Sequence, residues 1–221
     1  HDALPIYFIK GVNNIPMKSP LHYQISEYDC GPTSMLNAIK FLFEREQISP
    51  ELIRNIMLYS LDSYSTEGAG KSGTSRIAMM FLSNWINGFG AVGQLPIRSE
   101  YLTQESVFIG STSRINDALS RGGVVIPRLY YDVEHYVLLT GSSEKGIHVF
   151  DPYFHTDAFP ERDILLDQNH PFAYNTIVPQ KYFNRTNKEI YSLGEMARRE
   201  AIIIYNTDTF VTPDRTIEYF I

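Results

Sequence analysis

Cysteine is almost absent from this sequence, and long apolar runs are missing altogether. The chain has 221 residues and a single cysteine. One cysteine cannot form an internal disulfide, so the fold must hold without covalent cross-links. No apolar run approaches the ~18 residues of a membrane-spanning helix, and we therefore expect no integral membrane segment. Internal repeats and low-complexity segments are not apparent either.

Basic charge is also in short supply. The 19 Lys and Arg residues are outnumbered by 25 Asp and Glu residues, which gives a net charge of −6. This excess of negative charge does not favour a nucleic-acid partner, because binding to the phosphate backbone requires basic surfaces. The chain begins His1-Asp2, with no methionine and no signal-like start. We expect a cytoplasmic location and leave a removed secretion leader open; the oligomeric state is left open too.

What is present is an ordinary globular composition, with three helical patterns in the first half of the chain. Hydrophobic residues make up 43% of the sequence and charged residues 20%. Gly31-Pro32 predicts the start of the first helix, because proline is well placed in a first turn. Ser49-Pro50 predicts the start of the second. The third is predicted over about 74–87.

The sequence also predicts where the third helix ends and which of its faces is buried. Gly88 and Gly90 predict its termination. Its inward face is predicted to be Ile77, Met80, Phe81 and Trp85.

Strand patterns dominate the second half of the chain. Runs of β-branched and aromatic residues predict strands at 124–131, 135–140, 147–150, 176–183 and 201–205, and the apolar run at 3–11, near the start of the chain, predicts a short strand or an extended arm. A short helix is predicted at 113–120, a hairpin turn at 144–146 and a long loop at 152–175. Helices followed by antiparallel strands predict an α+β fold. We expect one domain over 1–221, with a helical lobe at about 20–90, a β lobe at about 105–221 and a cleft between them.

The single cysteine, Cys30, lies at the start of the first predicted helix. Backbone N–H groups and the positive end of the helix dipole favour thiolate over thiol at such a position. The thiolate is the form that attacks a carbonyl carbon, so Cys30 is a candidate nucleophile. Asp29, directly before it, is interpreted as the helix cap, worth about 1 kcal/mol.

Three further residues supply what a cysteine nucleophile requires. His135 begins a strand and is a candidate base. Asp151 ends the next strand and is a candidate to orient that base, because antiparallel pairing brings the start of one strand beside the end of the next. Gln24 can offer its amide, beside the Cys30 N–H, to an oxyanion. Each residue alone has an ordinary structural interpretation; together they predict an active site.

These motifs resemble a known family. A Gln, Asp-Cys-Gly at a helix start, a later His-Tyr-Val strand and an Asp-Pro are similar to the bacteriocin-processing cysteine peptidases, papain-like enzymes that remove double-glycine leaders. The resemblance covers about residues 20–155 and implies a papain-like fold without a cofactor or metal. It implies that Cys30 is the nucleophile, His135 the base and acid, Asp151 the orienting residue and Gln24 the oxyanion donor. Because nothing resembles the membrane and ATPase parts of transporter-linked members, the chain looks like a stand-alone relative.

The sequence therefore predicts a cysteine peptidase acting on a peptide or protein substrate. Two alternatives stay open: a degenerate papain-like domain that binds peptides without cutting them, and an acyltransferase or peptide ligase using the same cysteine. A phosphate-binding loop at 65–72 is disfavoured, because a helix rather than a strand precedes it. A metal site among His148, Asp151, His155 and Asp157 is also disfavoured, because strand alternation separates His148 from Asp151.

Overall fold

The computed structural model describes residues 17–212. They form an α+β fold of four α-helices and a large antiparallel sheet, with a small two-stranded hairpin. The strand predicted at 3–11 lies outside the described residues. Within residues 17–212, none of the helices combines the length and the apolar composition needed to cross a membrane.

The helical first half contains α1 (Cys30–Leu42), α2 (Pro50–Ser60) and α3 (Arg76–Ala91). The predicted start of α2 is confirmed, because the Ser49 side chain accepts a hydrogen bond from the N–H of Leu52. Such a bond satisfies one of the N–H groups that a helix start leaves unpaired. Ser75 caps α3 in the same way.

The predicted end of α3 is wrong. The helix continues through Gly88 and Gly90 to Ala91. Glycine is needed at position 90 because the backbone of another segment passes close to it: a Cβ there would lie 2.2 Å from the carbonyl oxygen of Ile97. Glycine thus serves close packing here and not termination.

The predicted inward face of α3 is also largely wrong. Ile77, Met80 and Phe81 are 72%, 42% and 45% exposed. The buried apolar face consists of Ala78, Met79, Leu82, Ile86 and Phe89. This helix carries apolar residues in two registers, so periodicity alone does not decide which of them packs on the sheet.

The strands pair into one eight-stranded antiparallel sheet and a separate hairpin. The hairpin is β1 (Tyr64–Ser65) with β2 (Gly68–Ala69). The sheet strands are β3 (Ile97–Thr103), β4 (Val124–Tyr131), β5 (Val133–Tyr136), β6 (Leu138–Ser143), β7 (Gly146–Phe150), β8 (Leu165–Leu166), β9 (Thr176–Val178) and β10 (Glu200–Asn206). Their order is β3-β10-β4-β6-β7-β9-β8, and β5 pairs with β4.

The predicted strands at 124–131, 147–150 and 201–205 are confirmed, as are the turn at 144–146 and the short helix α4 (Arg114–Ser120). Three predictions need correction. The run at 135–140 is divided at Val137 into β5 and β6. The run at 176–183 is a strand only to Val178, and a 3₁₀ turn follows it. The sheet begins at β3, before the predicted β-lobe boundary near 105.

Two apolar cores lie on opposite faces of the sheet. Along β10, Ile202 and Ile204 belong to the core shared with α1, α2 and α3. The alternate residues Ala201, Ile203 and Tyr205 belong to the core shared with α4 and the C-terminal loops. Successive side chains of a strand point to opposite faces, so a strand between two layers is apolar throughout. The sheet is therefore the middle of three layers.

Candidate active site

The candidate nucleophile stands at a helix start, as predicted. Cys30 is the first residue of α1 and is 8% exposed. Its N–H is one of the first-turn donors that an α-helix leaves without an intrahelical partner. The next residue, Gly31, packs tightly against Thr74, because a Cβ on Gly31 would lie 2.3 Å from the Thr74 hydroxyl oxygen. The loop before α3 therefore packs directly against the first turn of α1, which carries Cys30.

The structure brings His135 and Asp151 together. His135 lies on β5, which forms a hairpin with β4 and is followed by β6. Leu138 of β6 pairs with Phe150 of β7, so the end of β7 lies beside the start of β6, which follows His135 closely in the chain. His135 Nε2 is 2.7 Å from Asp151 Oδ1, and both side chains are buried.

His135 also interacts with Cys30, and this contact links the helix to the sheet. Burial disfavours the charged imidazolium, but the Asp151 carboxylate outweighs burial and raises the pKa of His135 to about 10. A hydrogen bond and charge interaction with Cys30 add to the rise. Because Nε2 is engaged by Asp151, Nδ1 is the ring nitrogen left for the sulfur. His135 therefore lies between the cysteine and the carboxylate.

Asp151 is held as an anion in a fully buried position. Burial raises the pKa of its carboxyl group, but the charges and hydrogen bonds of His135 and His155 outweigh this and hold it well below the usual range. Oδ1 also accepts the N–H of Tyr153, at 2.9 Å. Oδ2 accepts the hydroxyl of Tyr191 at 2.9 Å and lies 3.2 Å from His155 Nε2.

The backbone on either side of this carboxylate is fixed as well. Asn175 Oδ1 accepts the N–H of Asp151, and its Nδ2 donates to the Asp151 carbonyl oxygen. A two-bond clamp of this kind orients the residue as a strand partner would, although β7 has already ended.

Gln24 lies near these residues, but its amide is engaged by its own loop. The Gln24 N–H donates to the carbonyl of Pro152 at 2.8 Å, next to Asp151. The side-chain Nε2 donates to the carbonyl of Ser26 at 2.8 Å, and Oε1 is buried and has no hydrogen-bond partner among residues 17–212. One amide hydrogen of Nε2 remains beyond the bond to Ser26.

The interpretation of Asp29 as the side-chain cap of α1 is wrong. Asp29 occupies the cap position, but its carboxylate makes no capping hydrogen bond. It accepts the N–H of Ile25 at 2.9 Å and the N–H and hydroxyl of Ser26 at 2.6 Å. These bonds hold the pKa of Asp29 below its usual value against the effect of burial. Asp29 thus folds the loop that carries Gln24.

A cleft of about 540 Å³ opens at Cys30. Tyr28 borders it on the side of α1, and Gly73 and Thr74 border it on the side of α3. Its lining includes three acidic side chains, Glu27, Asp132 and Glu134, and three basic ones, Arg128, Lys188 and Arg198. Equal numbers of opposite charges give the cleft no net preference for a charged ligand.

The two other candidate sites are placed differently. The β1–β2 hairpin ends at Ala69 and α3 begins only at Arg76, so Gly70-Lys71-Ser72 does not open a helix as a phosphate-binding loop requires. His148 stacks on Tyr174, with ring centroids 4.3 Å apart, whereas His155 joins Asp151. Residues 17–212 contain no group of three potential side-chain ligands that could hold a metal.

Sequence reasoning missed Tyr191 and the role of His155. His155 follows Asp151 by four residues and was weighed only as a metal ligand, whereas Tyr191 lies forty residues away and gave no local signal.

No protein-family model matches this chain, and no curated protein matches it.

Proposed function

We propose that this chain is a papain-like cysteine peptidase that hydrolyses peptide bonds through an acyl-enzyme intermediate. The observation that carries the proposal is the position of His135, between the Cys30 thiol and the buried Asp151 carboxylate. A nucleophile, a base and a group that orients the base are the parts that covalent acyl transfer requires. The cleft at Cys30 gives a substrate access to the sulfur.

In the acylation step, the Cys30 thiolate forms a bond to the carbonyl carbon of the scissile peptide. The carbonyl oxygen becomes an oxyanion, for which the Cys30 N–H and the remaining amide hydrogen of Gln24 are the candidate donors. The imidazolium of His135 gives its proton to the leaving nitrogen, and the C–N bond breaks. The products are an amine and a thioester on Cys30.

In the deacylation step, neutral His135 accepts a proton from a water molecule. The hydroxide forms a C–O bond at the thioester carbon, the C–S bond breaks, and a carboxylic acid leaves. Asp151 stabilises the imidazolium that forms in this step, and it orients the ring throughout. The thiolate and the imidazolium are then restored.

The sequence motifs add support of a different kind. The segment around Gln24 and Cys30, the strand of His135 and the Asp151-Pro152 pair resemble the bacteriocin-processing cysteine peptidases. An α+β fold with three helices on one face of an antiparallel sheet and a short helix on the other is compatible with that resemblance. We therefore propose a stand-alone relative of these enzymes.

The test uses an internally quenched peptide library and the intact chain. Cys30→Ala is expected to abolish cleavage and to leave the melting temperature nearly unchanged, because the thiol is small and partly open to the cleft. His135→Ala is expected to abolish cleavage as well. His170→Ala, a histidine on an exposed loop, is the matched control and should cleave like the unmodified protein.

Three outcomes separate the proposal from its alternatives. Cleavage that survives in Cys30→Ala overturns the assignment. Peptide binding by the unmodified protein without any cleavage identifies a binding domain instead. Added amines that appear in the products in place of water identify an acyltransferase, which mass spectrometry of the products distinguishes from hydrolysis.

A further inference from the structure

His155 is a buried titratable side chain that the steps above do not use. Its Nε2 lies 3.2 Å from Asp151 Oδ2, on the carboxylate oxygen opposite the one that contacts His135. The residue is 6% exposed, and its backbone carbonyl accepts a hydrogen bond from Gln168 at 2.9 Å. Both its ring and its backbone are therefore held in place.

Aromatic rings hold the imidazole of His155 on several sides. The ring centroids of Tyr131, Tyr153 and Phe159 lie 5.2, 5.3 and 4.7 Å from that of His155. These distances are those of packed aromatic pairs. A histidine enclosed in this way has little freedom to turn away from Asp151.

Tyr191 reaches the same carboxylate oxygen from another segment. Its hydroxyl donates to Asp151 Oδ2 at 2.9 Å, and its side chain is fully buried. Its backbone φ is +57°, in the left-handed region that non-glycine residues seldom adopt. Burial and the Asp151 charge hold the pKa of Tyr191 well above its usual value, so the phenol remains a donor.

We propose that His155 and Tyr191 are positioning residues that lock the Asp151 carboxylate onto His135; this inference rests on the proposed function. A carboxylate offers about four lone-pair sites. Here Oδ1 takes His135 Nε2 and the Tyr153 N–H, and Oδ2 takes the other two donors. With all four sites occupied, the carboxylate plane cannot rotate without breaking a buried hydrogen bond.

Loss of either of the two donors on Oδ2 would loosen the hold on the carboxylate plane. The carboxylate would then stabilise the His135 imidazolium less well, and the imidazolium would stabilise the Cys30 thiolate less well. The effect should therefore reach the sulfur, even though His155 is on the far side of Asp151. A residue with only a packing role would lower stability without changing the reactivity of the sulfur.

The experiment measures alkylation of Cys30 by iodoacetamide between pH 5 and pH 9. Cys30 is the only cysteine, so the site of labelling is unambiguous. At pH 6, His155→Leu is expected to react about tenfold more slowly than the unmodified protein, the scale of one lost hydrogen bond to a charged group. His155→Gln keeps a donor at a similar reach and should recover most of the rate. Tyr191→Phe should behave like His155→Leu.

The titratable groups that face His155 are Asp151, Tyr191, Tyr131 and Tyr153, with His135 on the opposite carboxylate oxygen and Asp132 and Glu161 acting on Tyr131. His170→Leu leaves this set intact and controls for a general effect of losing a histidine. Each pH profile is recorded with the melting temperature, so that unfolded protein is not counted as reactive.

The outcomes distinguish the two proposals. A His155→Leu profile that is unchanged or faster, with only a lower melting temperature, overturns the positioning role and leaves the proposed function intact. Equal loss in His155→Leu and His155→Gln also overturns it, because the donor would then be irrelevant. If the unmodified protein at pH 6 reacts no faster than a free cysteine derivative, the proposed function fails, and the positioning role fails with it.

Discussion

His135 and Asp151 are a buried pair of opposite charge, and each depends on the other. Their contact outweighs burial at both groups, raising the pKa of His135 to about 10 and lowering the pKa of Asp151. The raised pKa of His135 contributes stability that is complete below the unfolded pKa of about 6.5 and is lost as the pH rises through about 10. The lowered pKa of Asp151 contributes stability that is complete above the unfolded pKa of about 4 and is lost as the pH falls below that value. Both contributions are complete between about pH 4 and pH 6.5.

Stability should consequently fall with rising pH because of His135. In a Cys30→Ala background, which removes the titration of the thiol, we expect the free energy of unfolding to decrease by on the order of 2–4 kcal/mol between pH 6.5 and pH 10. Urea denaturation at several pH values measures it. His135→Gln in the same background should show a clearly shallower decrease, since the other titrating groups are common to both proteins. Parallel curves would contradict a charged His135 in the folded state.

The residues with a regular backbone were the ones that the sequence could predict. Cys30 begins a helix, His135 lies within β5 and Asp151 directly follows β7, so antiparallel strand pairing brings the last two to one edge of the sheet. His155 lies in the loop after β7, whose path depends on Asn175 and on aromatic packing from distant segments. No period or local motif reports such contacts, so its hydrogen bond to Asp151 could not be predicted.

At the scale of elements, α1 approaches the loop before α3 at Gly31. A Cβ there would lie 2.3 Å from the Thr74 hydroxyl oxygen and 2.7 Å from the Thr74 Cβ. Alanine normally favours a helix over glycine by about 1 kcal/mol. We expect Gly31→Ala nevertheless to lower the free energy of unfolding by about 1–3 kcal/mol, as overpacking does. Urea denaturation of the Cys30→Ala protein with and without the change measures it.

Two controls isolate the contact. Gly88 is a helical glycine of α3 with open space where a Cβ would be, so Gly88→Ala should stabilise by up to about 1 kcal/mol. Thr74→Gly removes the atoms that the new methyl group meets, and Gly31→Ala should then cost little or become favourable. The same loss with and without Thr74→Gly would show that the clash is not its cause.

Helix starts were predicted well and the face of α3 poorly, for a physical reason. Ser49 and Pro50 act through local backbone bonds and need nothing from the rest of the chain. The face of α3 is decided by packing on the sheet, and its sequence offers apolar residues in two registers. β3 was missed because Arg98 and Glu100 interrupt the apolar pattern of a strand that, within the described part of the chain, pairs only with β10.

Glu200 joins the layers of the whole molecule near the cleft. This buried carboxylate at the start of β10 contacts Arg76 of α3 and Arg128 of β4, each at 3.3 Å. It also accepts the hydroxyls of Tyr101 on β3 and Tyr136 on β5. Burial of the two phenols and the negative charge of Glu200 together raise the pKa of both. One charge thus ties a helix to four strands of the sheet.

Removing that charge should be costly because Arg128 is buried and would lose one of its two carboxylate partners, leaving only Glu134. We expect Glu200→Gln, which keeps the side-chain shape, to lower the free energy of unfolding by about 3 kcal/mol, the scale of a broken buried ion pair. Glu189→Gln breaks the exposed pair with Arg185 and should cost less than about 1 kcal/mol. Urea denaturation of both variants at pH 7 measures the difference. Equal, small losses would show that Glu134 alone compensates Arg128, and that the layers are held by their apolar cores and not by Glu200.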